Sequence, residues 1–386
     1  MSTLLDNFRI CDTIDTTIRN KIKLFHVFDD WNNGNNILFI TNNDTVYGLG
    51  GNGYGCLGFG HHFDVETPLI IRELCGQRIQ QFINGNDFVL AMNEDNHVFS
   101  WGHNHRGQCA RDVTPSNVYL KPQLISQLND KNIAYICCGV FHSLALTTDG
   151  KVYGWGDNTW GQIGCGDFEN DIMCPPVLIQ FENNYKMKNI FCDDYSSFTI
   201  TLNGLVLSWG YNRDHHCGHQ SPENILTPKL IPQLNHIKSI CSVNTTEDNR
   251  FTCFLSNSNI IYFCGKYTDD MKQVQIEILP RPISMKLNVQ QIEERHSFVP
   301  RNIVLIQTDD TICELFSPNK VKKYKYNNFI DFYATELQQS YNTLHINMNM
   351  VTNLSESVMK TNKTPNIKPK QYNTNTNEGI LLFVFI

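Results

Sequence analysis

Val152-Tyr153-Gly154-Trp155-Gly156-Asp157-Asn158-Thr159-Trp160-Gly161-Gln162-Ile163-Gly164 is the stretch whose copies organise the chain. One period earlier it stands as Val98-Phe-Ser-Trp101-Gly102-His-Asn104-His-Arg-Gly107-Gln-Cys109-Ala110. A further period back it is Val46-Tyr-Gly-Leu-Gly50-Gly-Asn52-Gly-Tyr-Gly55-Cys-Leu57-Gly58. On the other side it returns as Val206-Leu-Ser-Trp209-Gly210-Tyr-Asn212-Arg-Asp-His215-His-Cys217-Gly218. A fifth, eroded copy is Ile261-Tyr-Phe-Cys264-Gly265. A sixth, without glycines, is the Val304–Phe316 segment.

A second mark keeps the same beat. Pro68-Leu-Ile-Ile71, Pro122-Gln-Leu-Ile125, Pro176-Val-Leu-Ile179 and Pro228-Lys-Leu-Ile231 each follow a turn, and Pro282-Ile283 stands fifth. Two independent marks at one period identify a repeat array. Ser143–Thr148 and Lys151–Trp155 flank Asp149-Gly150, which predicts a tight hairpin. Ile37–Ile40 with Thr45–Tyr47 is the same pair in the first copy, and Ile133–Ile136 is a further short strand. The Pro-led segment is expected to open another, with proline at the strand's first residue. Four short strands per repeat of about 53 residues is the size of a propeller blade. The expected fold class is therefore all-β, a β-propeller of four-stranded blades, over residues 21–346.

The repeated residues read as structural. Gly50, Gly55, Gly102, Gly107, Gly156, Gly161 and Gly210 supply backbone freedom. Asn52, Asn104, Asn158 and Asn212 are expected to bond local backbone. Trp101, Trp155 and Trp209 offer a large apolar face between neighbouring blades.

Composition narrows function. The 386 residues are 41% hydrophobic and only 18% charged, with a net charge of -7. That balance excludes a broad phosphate-binding surface, so nucleic acid or chromatin is not an expected partner. No apolar run approaches the ~20 residues of a membrane span, and no membrane partner is expected. Asp6, Asp12 and Asp15 interrupt the place where a signal peptide would be apolar. The 14 cysteines are then expected as reduced thiols in the cytosol or nucleus.

No chemistry-bearing motif stands out from the repeat. His142-Ser143 is an adjacent pair on a strand, so the side chains diverge and are poorly placed for proton transfer. His103, His105 and Cys109, and His215, His216, Cys217 and His219, are zinc-ligand types. Yet Cys109 and Cys217 occupy the position of Leu57 and Ile163, which predicts buried thiols acting as small hydrophobes. Cys137 and Cys138 diverge on their strand and are not expected to bridge. Neither catalytic residues nor a metal or cofactor site is expected.

The turn pattern, the Pro-x-x-Ile step and Cys138-Gly-Val-Phe-His-Ser-Leu-Ala-Leu146 together resemble the regulator of chromosome condensation repeat. The resemblance is strong over residues 37–265 and weak over 266–346. It implies a propeller, usually of seven blades, with six as the alternative. Lys21–Phe28 and Phe329–Ile346 are the expected closing strands of a seventh blade. Residues 1–20 would form an N-terminal extension, and residues 347–386, rich in Asn, Thr and Lys, a disordered tail. The opening Asn35–Gly50 is most similar to the branch that carries a C-terminal BTB domain, which includes ubiquitin-ligase adaptors; the tail is too short for that domain.

The implied function is a protein-interaction scaffold or adaptor. The alternative is a guanine nucleotide exchange factor for a small GTPase, after the family's founding member, none of whose exchange residues is carried over to this chain. A protein partner is expected, a small GTPase or a ubiquitin-ligase component. Its candidate contacts are the loops where the copies differ most, His61–Glu66, Arg111–Asn117 and Asp167–Cys174. Within them His61, Asp64, Arg111, Asp112, Asp167 and Glu169 are the candidate binding residues.

Overall fold

A computed structural model describes residues 9–347, apart from 31–33, 115, 167–168, 247–248, 270–271, 284–288, 295–302, 308–311, 318–319 and 325–343. The described residues form six antiparallel sheets, each built on a four-stranded meander, with one strand from later in the chain added to the first. The first holds β1 (Ile22–Asp30), β2 (Gly34–Thr41), β3 (Val46–Gly50) and β4 (Val65–Ile70). The second holds β5 (Ile79–Asn84), β6 (Phe88–Asn93), β7 (Val98–His103) and β8 (Val118–Leu124). The third holds β9 (Ile133–Cys138), β10 (His142–Thr147), β11 (Val152–Asp157) and β12 (Ile172–Leu178). The fourth holds β13 (Met187–Cys192), β14 (Ser196–Thr201), β15 (Val206–Gly210) and β16 (Ile225–Leu230). The fifth holds β17 (Ile237–Thr246), β18 (Asn249–Ser256), β19 (Ile261–Thr268) and β20 (Val274–Pro282). The sixth holds β21 (Val289–Glu294), β22 (Ile303–Gln307), β23 (Ile312–Ser317) and β24 (Lys320–Tyr324). The chain ends its described part in β25 (Leu344–Asn347).

First strands of successive sheets touch one another: β1 with β5, β5 with β9, β9 with β13, β17 with β21. This is the radial arrangement of propeller blades. It explains the burial pattern. β10 and β14 are buried at every residue, because a middle strand is covered by a blade on each face. β4, the outermost strand of its blade, is mostly exposed. The eroded fifth copy is a full blade, and the sixth copy is a hairpin that pairs Val304 with Glu314. The Asp149-Gly150 hairpin forms, with Gly150 at φ 83° and its N–H donating to the Thr147 carbonyl at 3.0 Å.

Two expectations change. The prolines do not open their strands. Pro122 lies inside β8, in a register shift between the Ser100–Gln123 and Gly102–Tyr119 pairs. Pro176 and Pro228 lie in the matching shifts of β12 and β16. An outermost strand has one unpaired side, and a bulge there absorbs the missing N–H. The expected closing segments do pair, Leu24 with Asn347 and Val27 with Leu344, but they do so within the first sheet. β1 is needed there as the partner of β2, so no separate seventh sheet forms among the described residues. Most of Phe329–Ile346 and all of residues 348–386 lie outside the described residues. Residues of the expected N-terminal extension also pack on the first blade. Cys11 and Ile14 are buried in the first blade's core.

Candidate protein-docking face

In the first four blades the turn after the third strand is built by its asparagine. The Asn104 amide oxygen accepts from the Cys109 N–H at 2.8 Å, and its nitrogen donates to the carbonyls of Arg111 (3.0 Å) and Asp112 (3.1 Å). Asn52 serves Leu57, His61 and Phe63 in the same way. Asn212 serves Cys217 and Ser221, and Asn158 serves Ile163 and Asn170. One buried side chain satisfies up to three backbone groups that no strand reaches.

The tryptophans staple blades together. Trp101 Nε1 donates to the Cys56 carbonyl (2.6 Å), Trp155 Nε1 to Gln108 (3.0 Å) and Trp209 Nε1 to Gln162 (2.8 Å). Each acceptor is in the preceding blade's turn, and all three indoles are fully buried. In the fifth blade Cys264 takes the tryptophan's place, and its thiol still donates to the His216 carbonyl of the preceding turn at 3.4 Å.

The positions the repeat leaves free lie between these fixed residues, and they share one face. The loop after the first strand of a blade lies beside the turn after its third. His103 N–H donates to Asp87 O, Asp157 N–H to Phe141 O, and Tyr211 N–H to Tyr195 O. Together these segments line a cavity of about 390 Å³. Its walls are His105 and Arg106 from the second blade and Phe141, Asp157, Thr159 and Trp160 from the third. Tyr195 and Tyr211 come from the fourth and Arg250 from the fifth.

Aromatic rings and guanidinium groups alternate across this face. Trp160 meets Tyr211 edge-on at 5.5 Å, with Arg213 over Trp160 at 5.5 Å and Arg250 over Tyr211 at 4.5 Å. Tyr54, His103 and His105 stack in sequence at 4.7 and 4.2 Å, and His105 meets Phe141 at 4.8 Å. Burial and the neighbouring His103 lower the His105 pKa to about 4, so the ring is neutral at pH 7. Asp157 is buried, which raises its carboxyl above the usual range; it accepts from Thr159 (2.6 Å) and Gln162 (2.7 Å), with Arg106 3.9 Å away. Arg250 pairs with Asp214 at 3.6 Å.

The described candidate contact residues lie outside the cavity lining. None of His61, Asp64, Arg111, Asp112 and Glu169 lines the cavity. Asp64, Asp112 and Glu169 are exposed, and Asp167 lies outside the described residues. Arg111 is half-buried, donates to the Ser100 carbonyl (2.6 Å) and hydroxyl (3.1 Å), and stacks on Tyr119 at 3.9 Å. It is part of the blade, not a free contact. The sequence pointed to the loops where the copies differ most, whereas the cavity is lined largely from unrepeated positions within the turns.

His142 and Ser143 do not meet: His142 Nε2 contacts Ser197 Oγ at 3.0 Å, and Ser143 donates to Cys138 Sγ at 3.6 Å. A buried Asp193–Ser196–His216 cluster exists, but Ser196 (2.9 Å) and Asp193 (3.5 Å) both approach the same nitrogen, Nε2. A catalytic triad needs the carboxylate on the other nitrogen. Cys109 is buried, and its thiol is pushed up to about 12. Among the described residues no group of three or more His, Cys, Asp or Glu is placed to hold a metal ion.

Comparison with known proteins agrees with this architecture. Residues 43–92, 95–146, 149–200 and 203–244 each match the model of the Regulator of chromosome condensation (RCC1) repeat. The ultraviolet-B receptor UVR8 of Arabidopsis thaliana is 31% identical over 191 residues, covering 50% of this chain and 42% of the receptor. The human E3 ubiquitin-protein ligase HERC2 is 30% identical over 239 residues, covering 60% of this chain but 5% of the ligase. The chain thus spans less than half the length of either curated relative. Among solved structures, Prp20p from Saccharomyces cerevisiae superposes with a TM-score of 0.54 at 21% identity, covering 67% of this chain and 64% of that one. That structure was described together with binding properties to Gsp1p and histones.

Proposed function

The chain belongs to the regulator of chromosome condensation (RCC1) repeat family, and from that premise we propose that it is a protein-interaction scaffold whose partner docks on the face holding the 390 Å³ cavity. The carrying observation is the source of the lining. Four consecutive blades contribute to it, and much of it comes from turn positions that the repeat does not fix. Trp160, Tyr211, Phe141 and Tyr195 are half-buried rather than packed away. Aromatic and Arg side chains anchored on a rigid frame are the residue types that dominate protein interfaces.

The partner class and the cytosolic or nuclear setting are part of this proposal. A small GTPase is one candidate, given what Prp20p binds; a ubiquitin-ligase component is another, given the HERC2 relative. Exchange activity is the alternative reading on the same face. Affinity purification of the wild-type chain and of Arg106→Gln tests the docking face, and a nucleotide-release assay on any captured GTPase tests exchange. Equal recovery of every specific partner by wild type and variant would contradict the docking face. Partner capture without nucleotide release would remove the exchange reading alone.

A further inference from the structure

Cys137 Sγ lies 3.0 Å from Cys192 Sγ. A disulfide bond is ~2.05 Å long, so an approach of about 1 Å separates contact from bond. The two residues stand on β9 and β13, the first strands of neighbouring blades, which pack together. Cys137 is 5% exposed and Cys192 is half-buried. Cys138, next in the chain, points to the other side of its strand and accepts from Ser143 at 3.6 Å, so it does not compete. Just beyond each thiol the chain enters the loop that carries Phe141 or Tyr195. These loops already touch, since Val140 N–H donates to the Asp194 carbonyl at 3.1 Å.

We propose that Cys137 and Cys192 are a disulfide-forming pair that clamps the third and fourth blades together when the protein meets a low-molecular-weight disulfide. Cys192, the more exposed thiol, reacts first. It releases a proton to solvent, and its thiolate attacks one sulfur of the oxidant and expels one thiolate. Cys137 then loses its proton, attacks the Cys192 sulfur of the mixed disulfide and expels the second thiolate. In sum, two protein thiols become one disulfide, and the oxidant is reduced to two thiols.

Burial raises the pKa of both thiols, that of Cys192 well above the ordinary value. Thiolate is therefore scarce near pH 7 and the reaction is slow, a response to sustained oxidation rather than a rapid exchange. The bond closes a loop across a 55-residue separation and restricts the unfolded chain. It also fixes the loops bearing Phe141 and Tyr195 relative to each other. This inference stands on the thiol geometry and does not rest on the docking reading.

The test uses the full-length chain incubated with oxidised or reduced glutathione, followed by alkylation, digestion and mass spectrometry. The expected result is one new peptide joining Cys137 to Cys192 in the oxidised sample, and a melting temperature raised by about 5 °C. Dithiothreitol should reverse both changes, and Cys192→Ser should abolish both while folding normally. Alkylation of both cysteines to the same extent in the two samples would overturn the proposal. So would an oxidised form in which either residue is joined to a different cysteine.

Discussion

Trp155 Nε1 donates to the carbonyl oxygen of Gln108 at 3.0 Å, which ties the third blade to the turn of the second. The same tie recurs from Trp101 to Cys56 and from Trp209 to Gln162. Trp155→Ala should cost ~3–5 kcal/mol, from lost burial and the cavity left behind. The Gln108 carbonyl would also lose its donor. Denaturant unfolding of the purified variant measures this; an unchanged midpoint would show that the staple is dispensable.

Gly156, next to Trp155 in β11, marks a close approach of two backbones. It sits at φ 102°, and an added Cβ would lie 2.4 Å from the Phe141 carbonyl oxygen. Gly76 has a similar conformation, φ 73°, but open space around it. Gly156→Ala should therefore destabilise by more than the ~1–3 kcal/mol of backbone strain alone, and Gly76→Ala by no more than that. Equal melting temperatures for the two variants would refute the close approach.

Arg111 carries a prediction that reverses its reading from sequence. Its bonds to Ser100 and its stacking on Tyr119 make Arg111→Ala destabilising by about 1–2 kcal/mol. Asp112→Ala, at an exposed side chain, should leave the melting temperature within about 1 °C. Thermal melts of the two variants decide the point.

Buried histidines give the fold a pH dependence. Burial lowers the pKa of His142 to about 3 and that of His219 to about 4. Unfolded, both titrate near 6.5. Above that pH neither state is charged and nothing is lost. As pH falls from 6.5 towards 3, the unfolded chain takes up protons that the folded chain refuses, so stability falls. The steepest slope is about 1.4 kcal/mol per pH unit for each fully buried histidine. His142→Asn should flatten the curve of unfolding free energy between pH 6.5 and 4; an unchanged slope would contradict it.

The frame was legible in the sequence because each fixed position has a structural task that few residues can perform. Asn52 and Asn104 each hold three backbone groups, and Gly102, Gly156 and Gly210 sit at φ 102–103° against a neighbouring strand. What repeats is what builds the blade, and so four copies stood out and a fifth could be traced. The site was hidden by the same logic. His105, Trp160 and Tyr211 occupy positions that differ in every copy, and a search for repetition discards them. Arg111 misled because a long charged side chain can bury its stem and bond inward. Cys264 looked like erosion, yet it keeps the contact that tryptophan makes elsewhere. The placement of β1 depended on which strand needed a partner, a choice that hydrophobic pattern alone does not make.

The central claim is that fixed turn positions hold the propeller while free ones bind. One turn allows both halves to be measured side by side. Asn158→Ala removes a buried hub, whereas Trp160→Ala removes a half-buried ring from the cavity wall two residues away. Melting temperature and partner affinity should be measured for both variants against wild type, with affinity expressed per folded molecule. Asn158→Ala should melt several degrees lower and bind normally. Trp160→Ala should melt within about 2 °C of wild type and bind at least ~30-fold more weakly, as a hot-spot residue does. Normal binding by a folded Trp160→Ala, or full stability of Asn158→Ala, would contradict the account.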